Sequence, residues 1–239
     1  MGEQASGGGR SRYVRVSLVQ EIPAALNALA LRRGRPVLVL VGGAEGMDDD
    51  HLETVGRVLR DAVLPLLDQR GAVVVDGGTD SGVMRVIGRA WVAQGGGFPL
   101  VGVAAEGTVV VPGGGPAAQD AAELEPNHTH VVLVPGTRWG DESPWLADVA
   151  GAIAQGRPSV TVVVNGGEIT YADVSGSLAR GRPVVVLAGT GRTADAIAAA
   201  RAGRTADHRA AAIAASDLTL VVPVEDAGGI RDAIDAALT

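Results

Sequence analysis

Short valine-rich runs recur along this chain, and stretches with apolar residues at helical spacing separate most of them. The runs are Pro36 to Val41, Ala72 to Val75, Pro99 to Val103, Val131 to Val134, Val160 to Val164, Pro183 to Leu187 and Leu218 to Val222. Apolar character at consecutive positions means that both faces are covered, the mark of strands in a parallel sheet. The helical patterns fall at Asp50 to Leu67, Val83 to Ala93, Trp145 to Ala154, Thr170 to Leu178, Thr193 to Ala200 and Ile230 to Leu238. Ahead of the series, Tyr13 to Val19 alternates, with Val14, Val16 and Leu18 on one face and Arg15 and Ser17 on the other, which predicts an edge strand exposed on one side. Pro23 to Leu31 predicts a short helix ending near Gly34. Strands alternating with helices give a Rossmann-like, doubly wound three-layer α/β/α sandwich with a mainly parallel sheet of about seven strands. No linker divides the series, so residues 13–239 are expected to form a single domain. The glycine-rich, polar tail ahead of it, residues 1–12, is expected to be disordered. Ala104 to Pro126, rich in Gly, Pro and Ala and with little pattern, is long for a loop in a compact domain and reads as a lid or as disorder.

Composition narrows the functions without choosing one. The 239 residues are enough to bury a core, and they include no cysteine, which removes disulfides and thiolate metal sites. A formal charge of -7 argues against a general nucleic-acid surface. No apolar run reaches membrane-spanning length, so a soluble, cytoplasmic protein is expected. All the basic side chains are arginine, the better bidentate ligand for phosphate, which draws attention to each arginine beside a glycine turn.

Ligands of doubly wound sheets sit outside the carboxyl ends of the strands, so the loops there are the candidate site. The most informative is Gly77-Gly78-Thr79-Asp80-Ser81-Gly82, which joins a buried strand ending at Asp76 to a helix with the stripe Val83, Val86, Ile87 and Ala90. Such a turn offers backbone N–H groups, the positive end of a helix and glycines that admit a ligand closely, which suits a phosphate or carboxylate. Asp80 or Ser81 can cap the helix, and Thr79 can offer its hydroxyl. After the sixth strand, Gly189-Thr190-Gly191-Arg192-Thr193-Ala194-Asp195 fits GxGxxA. Here Arg192 opposes the helix dipole, which calls for a reason. Either it pairs with Asp195 three residues on, or an anionic ligand lies between it and the Gly77 to Gly82 turn. Gly42-Gly43-Ala44 precedes a helix that opens with three aspartates, which would repel an anion and suit a ribose or base better. His128 and His130 alternate onto one face, but too few further ligands are visible for a metal, so Pro126 to His130 reads as a turn with Asn127 capping it. Trp139 falls at the ligand edge and can stack on a base, while Trp145 reads as core.

Taken together and in order, VGGAEGM, DGGTDSGVMRVIGRA, VGVAAEGTV, LEPNHTHVVLVPGT, WGDESP and AGTGRTAD resemble the nucleotide-binding module at the N-terminus of melastatin-type TRP channels. Stand-alone prokaryotic relatives of that module belong to the SLOG superfamily, with the LOG phosphoribohydrolases and the DNA-processing protein DprA as more distant members. The resemblance spans about Pro36 to Leu238 and implies a domain that senses a nucleotide-derived ligand such as ADP-ribose and requires no cofactor. It places the diphosphate on Gly77, Gly78, Thr79, Asp80, Ser81, Gly82, Val83 and Met84. It puts Arg192 in an anion-clamping position within Gly189, Thr190, Gly191, Ala194 and Asp195. Trp139 and Gly140 fall on the family's aromatic-glycine pair, and Gly42, Gly43 and Ala44 on its first glycine turn. Two departures limit the transfer. The further arginine that the ADP-ribose-binding channels carry shortly after the aromatic-glycine pair is missing here, where the helix reads Pro144-Trp145-Leu146-Ala147, and the LOG hydrolases' PGGxGTxxE motif has no counterpart in DGGTDSGVM.

Three functions compete. One is a non-catalytic sensor of ADP-ribose, an NAD-derived compound or a related nucleotide, read out by an effector protein. Another is a nucleotide hydrolase using Asp80, Glu106 or Asp195 as general base. The last is a scaffold whose alanine-rich helices make a homo-oligomer interface.

Overall fold

The computed structural model describes residues 2–6, 9–43, 49–111, 118–204 and 207–239. In chain order the strands are β1 (Gly2–Ser6), β2 (Gly9–Arg15), β3 (Val37–Gly42), β4 (Val73–Asp76), β5 (Leu100–Ala105), β6 (Val109–Val110), β7 (Ala122–Glu123), β8 (His130–Val134), β9 (Ser159–Val164), β10 (Val184–Ala188) and β11 (Thr219–Pro223). The helices are α1 (Ile22–Ala28), α2 (Asp49–Val58), α3 (Leu64–Arg70), α4 (Gly82–Ala93), α5 (Ser143–Ala154), α6 (Glu168–Ala179), α7 (Arg192–Arg201), α8 (His208–Ala214) and α9 (Ala227–Ala237).

Nine strands form one sheet in the order β1-β2-β8-β5-β4-β3-β9-β10-β11. All pair in parallel except β1, which runs antiparallel to β2. The chain winds outward from β3 to β8, returns to lay β9 on the other side of β3, and then winds the opposite way. The strand order therefore reverses between β3 and β9, where Gly42 pairs with Val164 and the two strands end level. Such a reversal opens a crevice at the carboxyl edge.

The valine runs predict this sheet because each side of a strand meets a helix layer. Val37, Val39 and Val41 of β3 pack with α1, α5, α6, α7 and α8 on one face. Leu38 and Leu40 pack with α2, α3, α4 and α9 on the other. Burying one such leucine contributes roughly 1.5–3 kcal/mol, so the alternate contacts of β3 anchor both layers at once.

Four local features differ from expectation. Residues expected to form a disordered tail instead pair as the β1–β2 hairpin, and the edge strand expected at Tyr13 to Val19 is β2, ending at Arg15. Asp50 to Leu67, expected as one helix, contains a π turn over Leu59–Val63, because Pro65 has no N–H to give a regular helix. The carbonyl of Arg60 there accepts the Gln94 side chain instead. The long loop after β5 is partly ordered, with β6 and β7 paired in parallel. Among the described residues α8 has no sequence forecast, since its seven residues, mostly alanine, show little stripe.

Candidate functional site

At the reversal point, several loops surround a cleft of about 500 Å³. The first glycine turn lines it through Gly77, Thr79, Ser81, Gly82 and Met84, and the second through Arg192. Gly42 and Gly43 after β3, Gly167 before α6, and Trp139 before α5 complete much of the wall. The two glycine turns, distant in sequence, thus share one space. Ala44 lies outside the described residues.

The helices that begin here have no side-chain cap from the residue before them, although in α7 the Thr193 and Ala194 N–H groups donate to the Gly166 and Asn165 carbonyls at 3.4 and 3.0 Å. Ser81 holds the cap position of α4, yet its hydroxyl lies 3.1 Å from that of Thr79 and makes no cap bond. Glu142, Gly167 and Gly191, at the same position of α5, α6 and α7, also make no side-chain cap bond. First-turn amides have no partner within a helix. With Gly82 and Gly167 lining the cleft, the positive ends of α4 and α6 face a ligand placed there, and α7 contributes the Arg192 side chain.

Arg192 is the exposed first residue of α7 and takes a left-handed backbone, φ +44°, directly after Gly191. Non-glycine residues rarely do so. Its guanidinium lies over the β9–α6 loop, where a methyl group built on Gly167 would stand 3.2 Å from Nη2. Asp195, the alternative reason for Arg192, turns its carboxylate to the Gly189 N–H at 2.6 Å. The Arg192 charge also acts on the Glu168 carboxylate beside it, so Arg192 stands on the cleft wall within reach of an acidic neighbour as well as of the cleft.

The rest of the lining is acidic and apolar: Glu142, Glu168 and Asp173 with Trp139, Leu146 and Ile169. Burial pushes Asp173 up to about 7, with Ser143 opposing the shift and the Glu142 charge adding to it. Burial also raises Glu142, against the N–H groups of its own residue and of Gly140. Both carboxyls hold protons more tightly than surface acids, and Asp173, at about 7, can donate a hydrogen bond near neutral pH.

Other predicted residues lie elsewhere and do structural work. Gly78 is buried with φ +66°, and a Cβ there would meet the Gly102 Cα of β5 at 2.8 Å. Asp80 pairs with Arg85 at 2.7 Å, and Val83 is fully buried core. Thr190 is buried, donating to the Leu187 carbonyl and accepting the Asn165 N–H. Gly189 and Gly191 take positive φ to shape the turn, and Gly140 does so against Ile169. Asn127 does not cap its turn; its N–H and Nδ2 both reach the Glu125 carboxylate, at 2.9 and 2.6 Å. The proposed bases Asp80, Glu106 and Asp195 are occupied, Glu106 by Arg15 at 2.6 Å.

Sequence reasoning missed the group beneath the first turn. His128 is buried, with Nε2 2.7 Å from Asp76 Oδ1 and Nδ1 2.8 Å from Glu125 Oε2. A signal was present: Asp76 closes a strand of valines that is buried on both faces, and a charge in that place needs a buried partner. Among the described residues no group of His, Cys, Asp or Glu is arranged to hold a metal. No described helix is long and apolar enough to cross a membrane.

A Rossmann-like parallel sheet, open at its reversal point onto a cleft ringed by helix N-termini, defines a domain of the kind that takes up nucleotide-related ligands. The family follows from the sequence: residues 35–230 match the prokaryotic family described as SLOG in TRPM, and the chain belongs to it. No curated protein matches the sequence closely enough to be informative. A solved structure of the molybdenum cofactor carrier protein from Chlamydomonas reinhardtii is similar in fold. It has 18% identity, a TM-score of 0.55, and alignment over 85% of this chain and 98% of that one.

Proposed function

We propose that the domain is a non-catalytic binding module for a nucleotide-derived ligand such as ADP-ribose or an NAD-derived compound. The observation that carries this reading is that Gly77 to Gly82 and Arg192 line one cleft, beside helix starts without side-chain caps. Phosphates rest on the first-turn amides and meet the Arg192 guanidinium, which adds a charge-assisted hydrogen bond. The base lies against Trp139, 39% exposed, and Met84. Glu142 and Asp173 face the ribose hydroxyls from the acidic wall.

A second reading has its own support. Two carboxyls with raised proton affinity in one cleft suit general acid catalysis, so a nucleotide hydrolase acting through Asp173 and Glu142 is the alternative. Calorimetry with ADP-ribose, NAD, AMP and molybdenum cofactor, followed by chromatography of each mixture, separates the two. Binding without turnover is expected for the module. A released base or phosphate shows the hydrolase, and absence of binding by every ligand overturns both.

A further inference from the structure

The buried histidine does not touch the cleft, yet it is tied to the turn that forms it. Asp76 Oδ1 accepts both the Gly78 N–H at 2.8 Å and the His128 Nε2–H at 2.7 Å. On its other side His128 donates to Glu125, whose own N–H returns to the Gly78 carbonyl at 2.9 Å. The Asp80 N–H goes to the Glu123 carbonyl at 2.7 Å, and Thr79 bridges Leu124. Gly78 is thus held at both its N–H and its C=O by the two carboxylate residues that His128 joins.

The charge at this point is settled by what surrounds it. Burial opposes an imidazolium, but the Asp76 and Glu125 carboxylates outweigh it and raise His128 to about 9. Two of the neighbouring elements meet this group through glycines, which carry no charge. β5 meets the ring with Gly102, and α4 meets the Glu125 carboxylate with Gly88. A neutral side chain in place of His128 would leave two buried carboxylates facing each other without the cation between them, which costs far more than a lost surface pair.

We propose that His128 is the positioning residue of the anion-binding turn, clamping Asp76 against the Gly78 amide so that Gly77 to Gly82 is set before ligand arrives. This inference rests on the binding reading for its ligand, but the turn's rigidity is testable without one. Because the folded pKa of His128 lies above its ordinary 6.5, the contribution is complete below that value and is lost as pH rises through about 9.

The experiment measures hydrogen exchange at the Gly78 and Asp80 amides in the unliganded full chain, and ADP-ribose affinity by calorimetry, both from about pH 6 to about pH 10. Wild type is expected to protect both amides until the pH nears 9 and then to lose protection and affinity together, the titration of Asp173 at about 7 changing affinity alike in wild type and variants. His128→Gln is expected to exchange at these amides and to bind at least about tenfold more weakly at neutral pH, with the alkaline decline absent. Gly88→Ala, whose methyl would stand 2.3 Å from Glu125 Oε1, displaces the clamp from the other side and repeats the effect should His128→Gln fail to fold. Protection within about twofold of wild type in these variants, or an alkaline decline unchanged in His128→Gln, overturns the inference. If wild type binds none of ADP-ribose, NAD and AMP, the nucleotide reading fails, and the exchange data alone still decide the role of His128.

Discussion

Two sets of helix starts in this molecule are built differently. α8 and α9 open with an aspartate whose carboxylate accepts first-turn N–H groups, Asp207 from Arg209 and Ala210, Asp226 from Gly229. α4, α6 and α7 open with Ser81, Gly167 and Gly191, and none of these side chains takes such a bond. A carboxylate cap stabilises a helix by about 1 kcal/mol and neutralises its positive end. Stability therefore favours the first design everywhere. The second design occurs where the helices line the cleft: α7 is completed by the Gly166 and Asn165 carbonyls, while at α4 and α6 the absent carboxylate leaves the positive end to an anion in the cleft.

Substitutions sharpen that contrast. The largest effect belongs to Gly78→Ala, where a left-handed φ and contact with β5 backbone force the turn to move. It should cost roughly 2–4 kcal/mol of stability in denaturant unfolding, together with ligand binding. Arg192→Ala should weaken ADP-ribose by about 1.5–3 kcal/mol in calorimetry while leaving the melting temperature in place. Asp173→Asn removes a group with its folded pKa at about 7 against an ordinary 3.8. In that window the unfolded chain gives up the proton first, so Asp173 loses stability as pH rises. The variant should be more stable than wild type at neutral pH by about 1–2 kcal/mol, with the difference vanishing below about pH 4. Asp226→Ala should cost about 1 kcal/mol of stability and nothing in affinity. Ser81→Ala should change stability by less than about 0.5 kcal/mol, because that side chain does not cap. If Ser81→Ala destabilised as much as Asp226→Ala, the distinction between the two sets of helix starts would be lost.

The sheet was legible because burial on both faces writes itself into sequence as unbroken runs, as in Val37 to Val41 and Val160 to Val164. Gly77 to Gly82 and Arg192 were legible for another reason: glycine at a strand end and a cation at a helix start each break a local preference. What stayed hidden depends on contacts between distant segments. Asp76 and His128 stand 52 positions apart and meet only because β4 and the approach to β8 flank β5. The acidic wall was equally silent. Glu142 and Asp173 sit on different helices, and in sequence each resembles an ordinary surface acid. Asn127 and Asp195 were legible as residues with a local task, but the tasks differ from those foreseen, since their partners Glu125 and Gly189 follow from the course of the folded chain.

The central claim is that two turns far apart in sequence hold one anionic group, and an amide-shift titration of isotope-labelled protein with ADP-ribose tests it most directly. The account predicts that the Gly82 and Val83 amides and the Arg192 amide shift together along one saturating curve, while those of Arg209 and Gly229 beneath their aspartate caps stay still. Shifts confined to one turn, or saturating at different ligand concentrations in the two, would contradict it.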